Sequence, residues 1–286
     1  ISVDGTSARI QSLLGQSTYT GVTTINTASS ITVNTLADGG TASGIGQSSN
    51  AASNLVFNGA SPTLVYQGNI RDGSLNLGSA SASTDRLFTI SGAGAVLSST
   101  VSNGNAAVWS NTGAIVHGTN ATRTLTLTGT STGDNTFNPQ FTDSVGFVSS
   151  LSKTGAGQWN LGSSTSSYTG TTNIAEGILG LNNNNALPAN SPLVFSAGAT
   201  TTVGVLQMSG TFERNLAATA TAGTGTVTWG STSTGGGGFA AHTTPLVVAI
   251  GGVTTPTALT WGSGGFVGTG GVQALILSSA SALSDV

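Results

Sequence analysis

Lys153-Thr-Gly-Ala-Gly-Gln-Trp159-Asn-Leu161, then Tyr168-Thr-Gly170, then Thr172-Asn-Ile174-Ala-Glu-Gly177-Ile-Leu179-Gly-Leu181, is the stretch on which the reading of this chain turns. Trp159 and Leu161, and again Leu179 and Leu181, alternate with small or polar residues, the period of two that sets one side of an extended segment in a core. Glycines punctuate it, and nothing in it suggests helix. The stretch predicts short strands separated by glycine turns.

Composition bounds the architecture. Only 5% of the 286 residues are charged, against roughly a quarter in an ordinary globular domain, while Gly, with 43 residues, and Ser, Thr, Ala and Asn dominate. Low charge alone fits a disordered linker, but 37% of the chain is apolar and its Leu, Val, Ile and Phe recur in alternation, so something is buried at regular intervals. A net charge of -3 with six scattered basic residues offers no footprint for nucleic acid or an anionic membrane. The absence of cysteine removes disulfides, thiol chemistry and thiolate zinc sites. No apolar run reaches the ~18 residues of a membrane helix; a secretion signal is expected either to have been removed already or to lie outside residues 1–286, and any anchor to lie outside them.

The same phrases occur twice. Tyr19-Thr-Gly21 precedes Thr23-Thr-Ile25, and Tyr168-Thr-Gly170 precedes Thr171-Thr-Asn-Ile174; downstream stand Asn54-Leu-Val-Phe57 and Ser191-Pro-Leu-Val-Phe195. Thr84-Asp85-Arg86-Leu87 has its counterpart in Phe212-Glu213-Arg214-Asn215-Leu216, and Ala107-Val-Trp109 in Val227-Thr-Trp229, with a further echo at Leu259-Thr-Trp261. The first copy carries an extra loop over residues 36–48. Two diverged units follow, 1–150 and 151–286, in one continuous elongated domain. Further strands are expected at 64–66, 75–77, 87–90, 125–127, 246–250 and 275–277.

Repetition of this kind argues for a solenoid, and specifically an all-β, parallel β-helix; an antiparallel β-sandwich is the rival for short strands at ten-residue intervals. Stacked coils explain the composition, because like charges repel at a ~4.8 Å rung spacing whereas Thr, Ser and Asn bond to their own image. At about 20 to 25 residues per coil the chain makes about 12 coils and a rod of roughly 55 to 60 Å. The glycine runs at 235–238 and 262–265 read as turns, and residues 8–14 as a helical turn capping one end.

Little chemistry is in view. Asp4, Asp38, Asp72, Asp85, Asp134, Asp143, Glu176, Glu213 and Asp285 form no local cluster, whereas polysaccharide-cleaving solenoids gather carboxylates on one face. Arg71-Asp72, Asp85-Arg86 and Glu213-Arg214 read as turn or ladder-end residues, since neighbours on a strand point to opposite faces. His117 and His242 read as solvent-facing residues at strand ends. The glycine runs lack the Lys-Ser/Thr of a phosphate loop. Trp109, Trp159, Trp229 and Trp261 read as core, with a sugar-stacking row that includes Tyr19, Tyr66 and Tyr168 as the alternative. No catalytic, cofactor or metal site is expected.

Residues 151–181 resemble the autotransporter-associated β-strand repeat, whose pattern is Lys-Thr-Gly-x-Gly-x-hydrophobic-x-Leu, Tyr-Thr-Gly, then Thr-x-Ile-x-x-Gly-x-Leu. A weaker likeness runs from Tyr19 through Leu127; Ser7-Ala-Arg-Ile-Gln-Ser-Leu-Leu-Gly15 replaces its Lys-Thr-Gly segment. The resemblance implies a right-handed parallel β-helix in the passenger of a large exported bacterial protein, extracellular or on the cell surface. It implies a non-enzymatic structural stalk or filament, or an adhesin for glycan or matrix; a polysaccharide-degrading enzyme is the third reading. Head-to-tail self-association is the expected partner interaction, because an uncapped coil exposes backbone groups at each end.

Overall fold

A strand of alternating apolar residues hides one face only when its edges are also paired, and this chain supplies those pairs by coiling back over itself. The computed structural model describes residues 1–3, 9–68, 80–199, 201–230, 235–268 and 273–286. Its strands assort into three ladders of parallel pairs. The first runs through Ser2–Val3, Thr23–Asn26, Leu55–Asn58, Thr89–Ile90 and Val116–His117. The second takes Arg9–Leu13, Ser29–Val33, Thr63–Tyr66, Gly94–Ser99, Arg123–Gly129, Ser149–Lys153, Thr172–Ile174, Leu193–Phe195 and Thr226–Trp229. The third takes Ala82–Thr84, Ala107–Trp109, Asn135–Phe137, Gln158–Leu161, Gly177–Leu181, Val203–Leu216, Gly236–Ile250 and Leu275–Ile276. Val203–Leu216 leaves the third ladder and pairs with the second through Asn215 and Leu216, which joins both into one 17-stranded sheet. The protein is a parallel β-helix, and the sandwich alternative falls.

Inward positions stack in columns. In the second ladder Ile31, Leu64, Leu97, Leu127, Lys153, Ile174, Phe195 and Trp229 lie one above another, all buried. Each apolar member contributes about 1.5 to 3 kcal/mol on leaving water. Aromatic rings continue the packing edge to face, as in Phe57–Phe88 at 5.1 Å and Phe88–Trp109 at 5.5 Å. Outward positions bond to their own kind: Asn58 Nδ2 donates to Oδ1 of its register partner Asn26 at 2.8 Å.

The duplicated phrase has one local structure in both copies. Tyr19 Oη lies 2.6 Å from Thr23 Oγ1 and Tyr168 Oη 2.8 Å from Thr172 Oγ1. The strand that follows pairs with Leu-Val-Phe on the next coil, Ile25 beside Phe57 and Ile174 beside Phe195. The phrase lies on the first ladder in one copy and on the second in the other. Trp109 and Trp229 likewise fall on different ladders.

Four expectations need correction. Arg9–Leu13 is a strand rather than a helical turn, since the edge of Ser29–Val33 satisfies its backbone and so short a helix nucleates poorly alone. The coils are fewer and longer: from Ile31 to Leu64 and on to Leu97 each takes about 33 residues, while those through Ile174 take about 21. Nine rungs in the second ladder make a stack of roughly 38 Å. Gly236, Gly237 and Gly238 are strand, and a Cβ on Gly237 would stand 2.5 Å from that of Phe195, so glycine serves close approach there rather than turning. Trp261 is 53% exposed whereas Trp109, Trp159 and Trp229 are core. The expected strand at 75–77, the Arg71-Asp72 pair and Asp4 lie outside the described residues.

Candidate functional site

Arg86, Arg123, Lys153 and Arg214 are all buried, an expensive placement unless each charge finds acceptors. They find them mainly in backbone carbonyls at the corners of the coils. Lys153 Nζ donates to the carbonyls of Thr154 (2.9 Å), Gly155 (2.7 Å) and Glu176 (2.9 Å), tying one corner to the next coil. Burial holds its amine down to about 7, against an opposing pull from Glu176. Arg123 donates to the carbonyls of Ile90 and Ala121, each at 3.0 Å, and to Thr119. Arg86 reaches Gly46 O at 2.9 Å and Ser48 Oγ at 2.8 Å. Arg214 donates to the carbonyls of Pro188, at 2.9 Å, and Ser191. Arg214 lies on the strand Val203–Leu216, with Glu213 turned outward as alternation requires, whereas Arg86 and the half-buried Asp85 lie between the strands Ala82–Thr84 and Thr89–Ile90.

The carboxylates brace the coils in the same way. Asp38 accepts the Asp85 N–H at 2.8 Å, and Asp85 accepts Gly39 N–H at 2.7 Å and Asn50 Nδ2 at 2.8 Å. Asp143 accepts from Ser149 N at 2.7 Å and Thr169 Oγ1 at 2.6 Å. Stacking thus brings Asp38 and Asp85 together from 47 residues apart, and commits both to backbone amides. His117 is half-buried rather than solvent-facing: its Nε2 lies 2.9 Å from Thr142 O, its ring packs on Phe141, and burial lowers its pKa. His242 lies inside the long strand Gly236–Ile250, not at its end. Among the described residues no cluster of three His, Asp or Glu could hold a metal.

One cleft of about 530 Å³ opens on the flank of the later coils, within the ~300 to 1,000 Å³ of small-ligand sites. Its floor is apolar, with Leu181, Leu187, Met208 and Phe212 nearly buried. Two loops and a strand from successive coils supply its polar rim: Ser164, Ser166 and Ser167; Asn184, Asn185 and Asn190; and, on Val203–Leu216, Thr211 and Glu213. Its walls are braced. Asn184 Nδ2 donates to Ser209 O at 2.8 Å, Asn183 Oδ1 accepts Asn185 N–H at 2.9 Å, and Ser166 Oγ accepts Phe141 N–H at 3.1 Å. Arg214 lies behind the rim, its guanidinium 5.7 Å from the centre of the Phe212 ring and its pKa lowered by burial to about 10. The side chains of Ser164, Ser167, Asn185, Asn190 and Glu213 are exposed. Sequence reading passed over this site because no single segment builds it; the available signal was Ser163-Ser-Thr-Ser-Ser167 one coil from Asn182-Asn-Asn-Asn185. Neither Trp261 nor any other tryptophan lines the cleft.

The coil geometry defines the class, a parallel β-helix with corner-binding buried cations and a cleft on its side walled by two loops and a strand. A curated protein similar to it is "Adhesin BmaC autotransporter" of Brucella suis biovar 1 (strain 1330), 39% identical over 145 residues, 50% of this chain. The match covers 4% of that protein's length. Over those residues the chain is similar to a small part of an autotransporter adhesin. No family model matches it, and no solved structure matches it.

Proposed function

We propose that this chain is a non-enzymatic, adhesin-type part of an exported bacterial surface protein, a rigid β-helix that presents a recognition surface outside the cell. The observation that carries the reading is the 39% identity to an autotransporter adhesin across half of the chain, in a molecule whose fold is a β-helix. The placement of charge supports it, because the buried cations and the Asp38, Asp85 and Asp143 carboxylates hold corners together. Glu213 is the single carboxylate lining the cleft, where glycoside hydrolysis ordinarily uses two. The test is adhesion: purified chain, labelled and applied to cultured animal cells, binds saturably and is competed by unlabelled chain. Binding no greater than that of an unrelated β-helix overturns the reading.

A second reading, head-to-tail association of copies into a filament, is favoured by exposed apolar side chains near both ends of the stack, Ile10 and Leu14 at one and Val247 and Leu277 at the other. Sedimentation over a wide concentration range checks it. A single monomeric species throughout removes it.

A further inference from the structure

We infer that the cleft between residues 164–167, 184–190 and 208–214 is a binding site for a neutral oligosaccharide; this rests on the adhesin reading and names the ligand class of that reading. Four observations narrow the chemistry. The floor of Leu181, Leu187, Met208 and Phe212 is apolar, and suits the C–H face of a sugar ring. The exposed groups above it are three amides, Asn184, Asn185 and Asn190, three hydroxyls, Ser164, Ser167 and Thr211, and one carboxylate, Glu213. Neutral donors and acceptors with a single carboxylate are the complement of vicinal hydroxyls, which donate to the carboxylate and both give to and take from the amides.

The third observation is where the positive charge goes. Arg214 lines the cleft, but its guanidinium donates to Pro188 O and Ser191 O and lies buried under Phe212, so an acidic ligand would meet Glu213 with its nearest cation already committed. Sialylated or sulfated sugars, nucleotides and other anions are excluded on this ground. The fourth is the nature of the walls. Two loops, 164–167 and 184–190, and the strand Val203–Leu216 build them, and together they line the opening with side-chain hydroxyls, amides and one carboxylate. The bonds from Asn184 to Ser209 O and from Asn183 to Asn185 N–H hold the amide-bearing turn in place, which limits the ordering cost of binding.

The full chain is tested on an immobilised array of neutral hexose- and N-acetylhexosamine-terminated oligosaccharides beside sialylated and sulfated ones. It is expected to be retained by members of the neutral set and to be released by the corresponding free sugar. Glu213→Gln and Asn190→Ala lower affinity by about tenfold or more, what a lost hydrogen bond of this kind costs in binding, and Ser164→Trp blocks the cleft outright. Trp261→Ala, outside the cleft, leaves affinity unchanged. All three cleft positions are exposed, so melting of the variants stays at the wild-type temperature.

Retention by acidic glycans alone overturns the inference. So does retention that survives all three cleft variants. If the chain adheres to cells and continues to do so after their surface glycans are enzymatically removed, the adhesin reading stands and the oligosaccharide falls. If it binds neither cells nor glycans, both fall.

Discussion

Replacing Lys153 by methionine keeps the chain volume close to native between Leu127 and Ile174 and removes the cation that ties two coils together. In the native protein burial lowers the amine from 10.5 to about 7, so the folded state holds that proton less tightly than the unfolded chain. Between pH 7 and about 10 the unfolded state therefore carries the extra proton, and stability rises with pH. Below pH 7 both states are charged and the full penalty applies. From pH 7 to pH 9 the expected gain is about 2 kcal/mol. Lys153→Met removes this slope, and at pH 9 it is less stable than wild type by roughly 2 kcal/mol because the carbonyls of Thr154, Gly155 and Glu176 lose their donor. The gap narrows towards pH 7. Urea denaturation of both proteins at pH 7, 8 and 9 measures it. Parallel pH curves for the two proteins would refute the claim that a buried, carbonyl-bound amine holds this corner.

Other perturbations read out other parts of the coil. Gly177→Ala would place a methyl 2.4 Å from the carbonyl oxygens of Gly155 and Gly157 at a φ of 74°, and is expected to destabilise by about 2 to 4 kcal/mol, seen as a lowered melting temperature. Trp159→Ala, which removes a core ring and its bond to Thr128 O, costs about 3 to 5 kcal/mol by urea midpoint, while Trp261→Ala stays within about 0.5 kcal/mol. Burial raises all three tyrosines and pushes Tyr168 up to about 12, so ultraviolet titration shows no phenol ionising as an ordinary tyrosine and Tyr168→Phe abolishes the step near pH 12. An ordinary titration of all three tyrosines would contradict the packing around Thr172.

The parts of this structure carried by short-range pattern were legible in advance. Trp159, Leu161, Leu179 and Leu181 face the core as their alternation demands, and Tyr19 and Tyr168 make the same local bond to the threonine four residues on. Other features depend on what lies one coil away, which a linear reading does not see. Lys153 sits in an apolar column because the carbonyl of Glu176 comes round to meet it. Gly236, Gly237 and Gly238 resemble a turn until Phe195 and Ile276 are placed beside them. Residues 279–285 fold back over the outer face of the third ladder, where Ser281 Oγ donates to Gln158 at 2.8 Å and Gln207 at 3.0 Å, so these outward polar residues are buried. The cleft is hidden for the same reason: its three walls lie on successive coils, and serine and asparagine in loops look like any turn.

The stacking itself is open to direct measurement, since the chain has no cysteine to interfere. Ser152 and Asn173 are register partners on adjacent rungs of the second ladder, and Val194 lies one rung further on. Cysteines at 152 and 173 stand about 4.8 Å apart by Cα and fall within disulfide reach, whereas cysteines at 152 and 194 stand about twice as far apart and do not. Under mild oxidation the 152/173 pair is expected to form an intramolecular disulfide nearly completely, and the 152/194 pair to stay reduced. Equal cross-linking of both pairs, or of the 152/194 pair alone, would contradict the parallel coil.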